Sequence, residues 1–289
     1  MELAHAPQSG SRARPRAAVQ AGLSYLVRSA TRPACYAYPP PDGQAWENCD
    51  FELRTVAIED GRHALVAPSI HREGFELRHA PSAVPDFTDE EAVRSIYYRE
   101  AAALALEVTG GARAIVFDHL LRRRQDRSRA LDFGRASGRM AAANGRIHND
   151  YSEASGQRRL ELVLDDEHAR RKVRRYSIVN LWRSIRGPIL DTPLAVCDAR
   201  TVAADELVVA QVRYPRRTGE IYFLTYAAPH RWTYFSAMTR DEALVFKQYD
   251  SLQEGVARFT PHAAFDHPEC PPDAPLRESI EARCLVIYD

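Results

Sequence analysis

The sequence lacks the features that mark several common protein classes. Its five cysteines include no C-x-x-C pair, which argues against a disulfide framework or a zinc knuckle and favours a reducing, cytoplasmic setting. Basic and acidic residues balance at 39 each, so no net charge predicts a nucleic-acid or membrane-surface partner. No apolar run approaches the length of a membrane span, and the first residues contain no apolar segment typical of a secretory signal.

The first 20 residues differ in composition from the rest of the chain. They are rich in Ala, Pro, Ser and Arg, which predicts a disordered N-terminal arm over residues 1–20. Residues 21–289 are then interpreted as a single domain, since a β-rich domain of this length is ordinary.

Short apolar runs separated by turn residues predict a mainly β fold with flanking helices. Asp60-Gly61 predicts a hairpin turn between strands over 51–58 and 64–68. A helix is expected over 89–108, because acidic residues precede a run of good helix formers. From Tyr176 onward, eight short strands are predicted. This pattern is typical of a sandwich or barrel, whose ligand site lies in the mouth.

Residues 121–146 contain eight arginines and few large apolar side chains. Two interpretations remain open. Runs of charge usually face water, so the segment can be a solvated loop. It also runs directly into His148, so it can be a lid that attracts an anionic substrate to the site.

His148-Asn149-Asp150 is the strongest chemical signal. Side chains alternate along an extended chain, so the imidazole and the carboxylate lie on the same side. Two imidazoles and one carboxylate make the facial triad that binds Fe(II) and leaves coordination positions open. We expect the third ligand to be His262, which lies in an extended segment with apolar neighbours. The alternatives lie in a charged helix, at a turn and in a Pro-rich loop, and are His168, His230 and His267.

Arg277 and Ser279 open the predicted last strand, across a Pro-rich loop from His262. A guanidinium fork matches a carboxylate bidentately, so Arg277 is a candidate anchor for a 2-oxo acid cosubstrate. Arg283 is a competitor, because six residues along a strand return to the same face. The metal ligand His262 and the anchor are then expected on neighbouring strands.

Several stretches from residue 109 to near the C-terminus resemble the fungal and bacterial hydroxylase/desaturase family, typified by the gibberellin desaturase and the oxygenase of cephamycin 7α-methoxylation. These stretches are TGGARAIVFDH, HNDYSE, RYSIVNLWRSIRGPILDTPLAVCDART, HRWTYFSAMTRDEALVFKQYDS, TPHAAF and APLRESIEAR. The resemblance implies a double-stranded β-helix (jelly-roll) core that uses Fe(II), 2-oxoglutarate and O₂.

The resemblance also implies roles for individual residues. It gives the iron ligands as His148, Asp150 and His262, and the 2-oxoglutarate carboxylate site as Arg277 and Ser279. Further candidates for the substrate pocket are Asn180, Trp182, Arg183 and Tyr151. Core packing is the alternative for Trp182, and a structural salt bridge is the alternative for Arg183.

These observations predict a non-haem Fe(II), 2-oxoglutarate-dependent oxygenase that hydroxylates or desaturates a small molecule in natural-product metabolism. The sequence leaves the outcome open, because a small change in substrate position selects one product over the other. Two other classes also stay open. One is a zinc-dependent hydrolase, since the same ligands make catalytic zinc sites, and the other is a non-catalytic, ligand-binding jelly roll.

Overall fold

Strands make up most of the regular structure. The computed structural model describes residues 18–137 and 140–289. In chain order the strands are β1 Ala18–Leu26, β2 Ala34–Tyr36, β3 Phe51–Asp60, β4 Phe75–His79, β5 Arg113–Arg123, β6 Ala136–Ser137, β7 Met140–Ala142, β8 His148–Asn149, β9 Tyr176–Ser184, β10 Leu194–Cys197, β11 Leu207–Tyr214, β12 Arg217–Leu224, β13 Trp232–Tyr234, β14 Glu242–Asp250, β15 His262–Ala264 and β16 Glu278–Ile287.

The helices are short. The first begins where the Asp89 side chain accepts hydrogen bonds from the backbone of Glu91 and Ala92, and the helical run ends at Gly110, whose φ of 69° suits a left-handed cap. The segments are α1 Glu90–Ala92, a π-helical turn Val93–Tyr97, α2 Tyr98–Thr109, α3 Glu153–Val163 and α4 Glu167–Lys172, with 3-10 turns at Gly61–His63, Ala199–Thr201 and Ala204–Glu206. Within residues 18–137 and 140–289, no helix has the length and apolarity to cross a membrane.

Two curled sheets form the core. The nine-stranded sheet, here the large sheet, has the order β1-β3-β13-β10-β15-β8-β12-β11-β2, and the seven-stranded small sheet has the order β4-β14-β9-β16-β5-β7-β6. Helix α2 packs against β5 and β16 of the small sheet. The predicted mainly β fold with flanking helices and a jelly-roll core is therefore confirmed.

Strand β16 is buried on both faces, and its two faces differ in chemistry. Ile280, Ala282 and Cys284 belong to the apolar cluster that also contains residues of α2. The alternate positions Glu281 and Arg283 are polar and lie on the opposite face, because strand side chains alternate. The small sheet thus presents an apolar face to the helix and a charged face to the interior between the sheets.

The hairpin predicted at Asp60-Gly61 is wrong. The chain makes a 3-10 turn there, and residues 64–68 form no strand. Asp60 accepts a hydrogen bond from the backbone of Ser236, and a Cβ on Gly61 would lie 2.4 Å from the Phe235 ring. The turn is therefore packed against another segment, and β3 pairs with β1 and β13.

Residues 1–17 of the predicted N-terminal arm, residues 1–20, lie outside the described residues. Residues 18–20 belong to β1, which pairs with β3 along its whole length. The single-domain interpretation of residues 21–289 stays a prediction.

Several side chains of the arginine-rich segment are structural. Residues 121–123 belong to β5. Arg122 donates to the carbonyls of Gly134 and Ala142 at 3.1 and 2.8 Å, and the buried Arg124 pairs with Asp266 at 2.9 Å. Arg127 and Arg146 likewise bond to other parts of the chain, and Arg139 lies outside the described residues. A solvated loop is therefore the wrong description of these four arginines.

Candidate metal centre

Two histidines face each other on adjacent strands of the large sheet. His148 on β8 and His262 on β15 are direct partners in an antiparallel pair, and their ring centroids are 4.3 Å apart. Asp150 follows β8 by one residue. One possible ligand atom from each of the three residues lies within 4.8 Å of the others. Strand pairing therefore brings the three residues of the expected triad to one point.

Backbone carbonyls orient both imidazoles. His148 Nδ1 lies 2.8 Å from the carbonyl oxygen of Arg146, and His262 Nδ1 lies 3.3 Å from that of Thr260. An imidazole that donates from Nδ1 keeps the lone pair of Nε2 for a metal. The Asn144 amide nitrogen lies 3.3 and 3.4 Å from the two ring nitrogens of His148, so the Asn144 side chain packs against this ring.

The small sheet holds the carboxylate of Asp150. Arg283 Nε and the Asn180 amide both donate to Asp150 Oδ2 at 2.9 Å. Burial alone would raise the pKa of Asp150, but the charge of the Arg283 guanidinium outweighs it and holds this pKa well below its ordinary value. Burial, followed by the charge of His148, lowers the pKa of His262. At neutral pH Asp150 is therefore ionised and His262 is neutral, as metal ligation requires.

Arg277 is buried between the sheets. Its Nη1 donates to the carbonyl of Thr192 at 2.9 Å, and its Cζ lies 5.5 Å from the Trp182 ring centroid. In the described part of the chain, Arg277 Nε and the Ser279 hydroxyl are buried without a hydrogen-bond partner. Burial, followed by the charge of Arg122, lowers the pKa of Arg277 to about 9. Buried donors without partners are rare in proteins, so this cluster is suited to an acceptor ligand.

The expectation that His262 and Arg277 lie on neighbouring strands is wrong. His262 belongs to the large sheet, whereas Arg277 immediately precedes β16 of the small sheet. The two residues come from facing sheets, because the Pro-rich loop between them crosses from one sheet to the other.

Glu281 is a buried residue of the site that the sequence analysis missed. It accepts a hydrogen bond from Arg283 Nη2 at 3.0 Å, and burial, followed by the charge of Asp150, raises its pKa. The sequence contains a signal for Glu281, because a polar residue occurs at every second position from residue 277 to residue 283. These positions are Arg277, Ser279, Glu281 and Arg283, and apolar residues separate the later ones.

The other pocket candidates lie in different environments. Asn180 contacts the triad through Asp150, and Tyr151 lines a cavity together with Asp150. Trp182 is part of an apolar cluster and lies beneath Arg277. Arg183 is on the opposite side of β9, where it donates to the Ala80 carbonyl and the Tyr97 hydroxyl. The structure does not bring Arg183 to this cluster.

The three alternative histidines also lie elsewhere. His230 Nε2 is 2.9 Å from a carboxylate oxygen of Glu206, and His267 lies 3.2 Å from the Tyr234 hydroxyl. His168 is in the first turn of α4. Each of the three therefore has an ordinary structural environment away from the triad.

Comparisons with known proteins extend over most of the chain. A family model described as an oxidoreductase/YMDC permease-like domain matches residues 23–287. The hydroxylase/desaturase CTB9 of Cercospora beticola is 34% identical over 258 residues, which cover 83% of this chain and 78% of the relative. The Fe(II)/2-oxoglutarate-dependent dioxygenase nvfI of Aspergillus novofumigatus is 31% identical over 258 residues, covering 87% and 89%.

A solved structure agrees with these relatives. The iron and alpha-ketoglutarate-dependent endoperoxidase NvfI superposes with a TM-score of 0.83 at 26% identity, and the match covers 95% of this chain and 99% of that one. Fold, relatives and the His-Asp-His cluster point to the same chemistry, as the resemblance implied. The chain belongs to the hydroxylase/desaturase family of Fe(II)/2-oxoglutarate-dependent dioxygenases.

Proposed function

We propose that His148, Asp150 and His262 hold the Fe(II) of this oxygenase. Convergence of two imidazoles and one carboxylate is the observation that carries the proposal. The donor set fits the ion, because Fe(II) accepts mixed nitrogen and oxygen ligands and needs open positions for its cosubstrates. Burial supports it as well, since His148 and His262 are both buried and the dry surroundings limit competing water.

We propose that Arg277 and Ser279 bind a carboxylate of 2-oxoglutarate. The buried Arg277 Nε and Ser279 hydroxyl, which have no acceptor among the described residues, fit an incoming carboxylate. Arg283 receives a different role. Its guanidinium donates to Asp150, Asp118 and Glu281, so it is a positioning residue for the Asp150 ligand and not the cosubstrate anchor.

Iron together with 2-oxoglutarate and O₂ supplies the oxidant that removes hydrogen from an unactivated C–H bond. The chain's own residues bind and orient the reactants. Arg283 and Asn180 fix the Asp150 carboxylate, and backbone carbonyls fix both imidazoles. The position in which the substrate is held then decides between hydroxylation and desaturation, because the product depends on which hydrogens lie within reach.

We further propose that the substrate is a small anionic molecule of natural-product metabolism and that the enzyme works in the cytoplasm. All five cysteines are free thiols, which suits a reducing compartment. The relatives' names as hydroxylase/desaturase and dioxygenase support a small-molecule oxidation.

Alanine substitutions test the iron site. His148→Ala, Asp150→Ala and His262→Ala should each lose bound iron and succinate formation while the far-UV circular dichroism stays unchanged. His230→Ala is the matched control, because His230 pairs with Glu206 away from the triad. Normal iron content in the His262 variant, with iron lost from the His230 variant, would show that the distal ligand is wrongly assigned.

A further inference from the structure

Asp150 and Arg283 border a cavity of about 580 Å³. Residues of helix α3 and of the β11–β12 hairpin contribute to its lining. The volume lies within the range of sites for drug-sized molecules. A cavity of similar volume, about 570 Å³, is lined by none of the three proposed iron ligands. Of the three proposed iron ligands, Asp150 is the one that lines this cavity, so the cavity adjoins the proposed iron site on its carboxylate side.

Positive charge exceeds negative charge on the cavity lining. Its three carboxylates, Asp118, Asp150 and Glu220, are already paired, two with Arg283 and one with Arg32. The remaining arginines of the lining form no ion pair with any carboxylate of the described residues. They are Arg158, Arg159 and Arg217. An excess of guanidinium groups that have no carboxylate partner along a cavity favours an anionic occupant.

Two of these arginines lie against aromatic rings, one on α3 and one on the hairpin. Arg159 Cζ on α3 lies 4.6 Å from the Phe117 ring centroid and 5.7 Å from that of Tyr151. Arg217 Cζ on the hairpin lies 3.9 Å from the Tyr214 ring centroid. A guanidinium that stacks on a ring keeps its N–H edges free for an oxyanion. Arg159 Nε is buried and has no hydrogen-bond partner in the described chain.

We propose that this cavity binds the substrate, and that the substrate carries an oxyanion on an aromatic or otherwise apolar body. Arg159 and Arg217 bind the oxyanion, and Phe117 and Tyr151 contact the body. This assignment rests on the proposed iron site, because Asp150 lines the same cavity. A fixed oxyanion would determine which C–H bond faces the iron, so these arginines would set the position of oxidation. The anion-binding arginines are therefore those of α3 and the hairpin, and not Arg122 to Arg124.

Two fluorescent probes of the same shape test the oxyanion requirement. 8-Anilinonaphthalene-1-sulfonate and N-phenyl-1-naphthylamine share their aromatic body and differ by the sulfonate. We expect the wild-type protein to bind the sulfonate probe at least tenfold more tightly. Arg159→Gln and Arg217→Gln should each reduce this preference at least threefold, and Arg159→Lys should retain part of it. Arg99→Gln is the matched control, since Arg99 is exposed and does not line the cavity.

Titrations without iron, with and without saturating 2-oxoglutarate, separate this site from Arg277. Three results would each overturn the proposal. The first is displacement of the sulfonate probe by 2-oxoglutarate, and the second is equal affinity of the wild-type protein for the two probes. The third is a preference for the sulfonate probe that is the same in the Gln variants as in the wild type. 2-Naphthoate and 2-naphthyl phosphate then compete with the probe, and the stronger competitor identifies the class of oxyanion. If the three iron ligands are wrongly assigned, these titrations would not change. The wrong assignment would appear only as normal iron content in the triad variants.

Discussion

Asp150 and Arg283 form an ion pair that joins the two sheets, with 2.9 Å between Oδ2 and Nε. Asp150 comes from the end of β8 in the large sheet, and Arg283 from β16 in the small sheet. The pair orients the only carboxylate of the proposed iron site and compensates its charge in a buried setting. The position of the metal ligand thus depends on the packing of one sheet against the other.

Arg283→Gln should weaken iron binding without removing it. Loss of a residue that orients a metal ligand typically costs 10–100-fold in metal affinity, so we expect a rise of this order in the Kd for Fe(II), measured by anaerobic titration. The Kd for 2-oxoglutarate, measured at saturating iron, should change less. Arg99→Gln serves as the control. Unchanged iron affinity in Arg283→Gln would contradict the positioning role.

Arg277→Leu should weaken 2-oxoglutarate binding and leave iron binding nearly unchanged. A charge-assisted bidentate pair in a dry site is worth about 2–4 kcal/mol, so the apparent KM for 2-oxoglutarate should rise about 30- to 1000-fold. Bound iron should stay close to the wild-type level, because the hydrogen bonds of Arg277 go to Asp191 and Thr192 and not to the three ligands. The measurement is succinate formation against 2-oxoglutarate concentration. A large rise in Arg283→Gln and none in Arg277→Leu would move the anchor to Arg283.

Asp250→Asn should destabilise the fold by about 3 kcal/mol, because it leaves the buried Lys247 without its partner. Lys247 Nζ lies 2.7 Å from Asp250 Oδ2 and both side chains are fully buried. Burial alone would raise the pKa of Asp250, but Arg175 and Lys247 outweigh it and lower this pKa.

The direction of that shift sets the pH dependence of the Asp250 contribution. The pKa of Asp250 is lower in the folded state than in the unfolded state, where it is about 3.9. The stability that ionised Asp250 contributes is therefore fully present above the unfolded-state pKa and is lost as the pH falls through the folded-state pKa. The part of the difference in unfolding free energy between wild type and Asp250→Asn that comes from the ionised Asp250 should therefore shrink as the pH falls below about pH 4. Urea denaturation measures it. Glu167→Gln, which breaks an exposed pair with Arg171, should cost less than about 0.5 kcal/mol at any pH.

Arg124→Gln should destabilise the protein by about 1–3 kcal/mol, because the buried Arg124 donates to Asp266 and to the Arg129 carbonyl. Arg129→Gln is the matched control, since its side chain is 81% exposed, and a change within about 0.5 kcal/mol is expected. Equal effects of the two substitutions on the urea midpoint would show that Arg124 does not form these buried interactions in solution.

The sequence by itself determined the mainly β class, the helical run before β5 and the donor types of the proposed metal centre. The H-x-D spacing placed His148 and Asp150 on one side of an extended segment, because strand side chains alternate. Acidic residues followed by a run of good helix formers predicted a helix over 89–108, and the helical run lies at 90–109, because these preferences are local. The choice of His262 followed from its extended, apolar surroundings, and the motifs shared with the family gave the fold and the cofactors.

Only the tertiary structure decided how the pieces meet. The pairing of β8 with β15 depends on contacts distant in sequence, so the distance between His148 and His262 could not be derived from spacing. Arg277 and Arg283 share one strand face, and periodicity cannot distinguish them. Their difference arises from the facing sheet, which gives Arg283 the carboxylate of Asp150 and leaves Arg277 Nε without an acceptor among the described residues. The roles of buried charges are set by partners that the sequence does not place next to them.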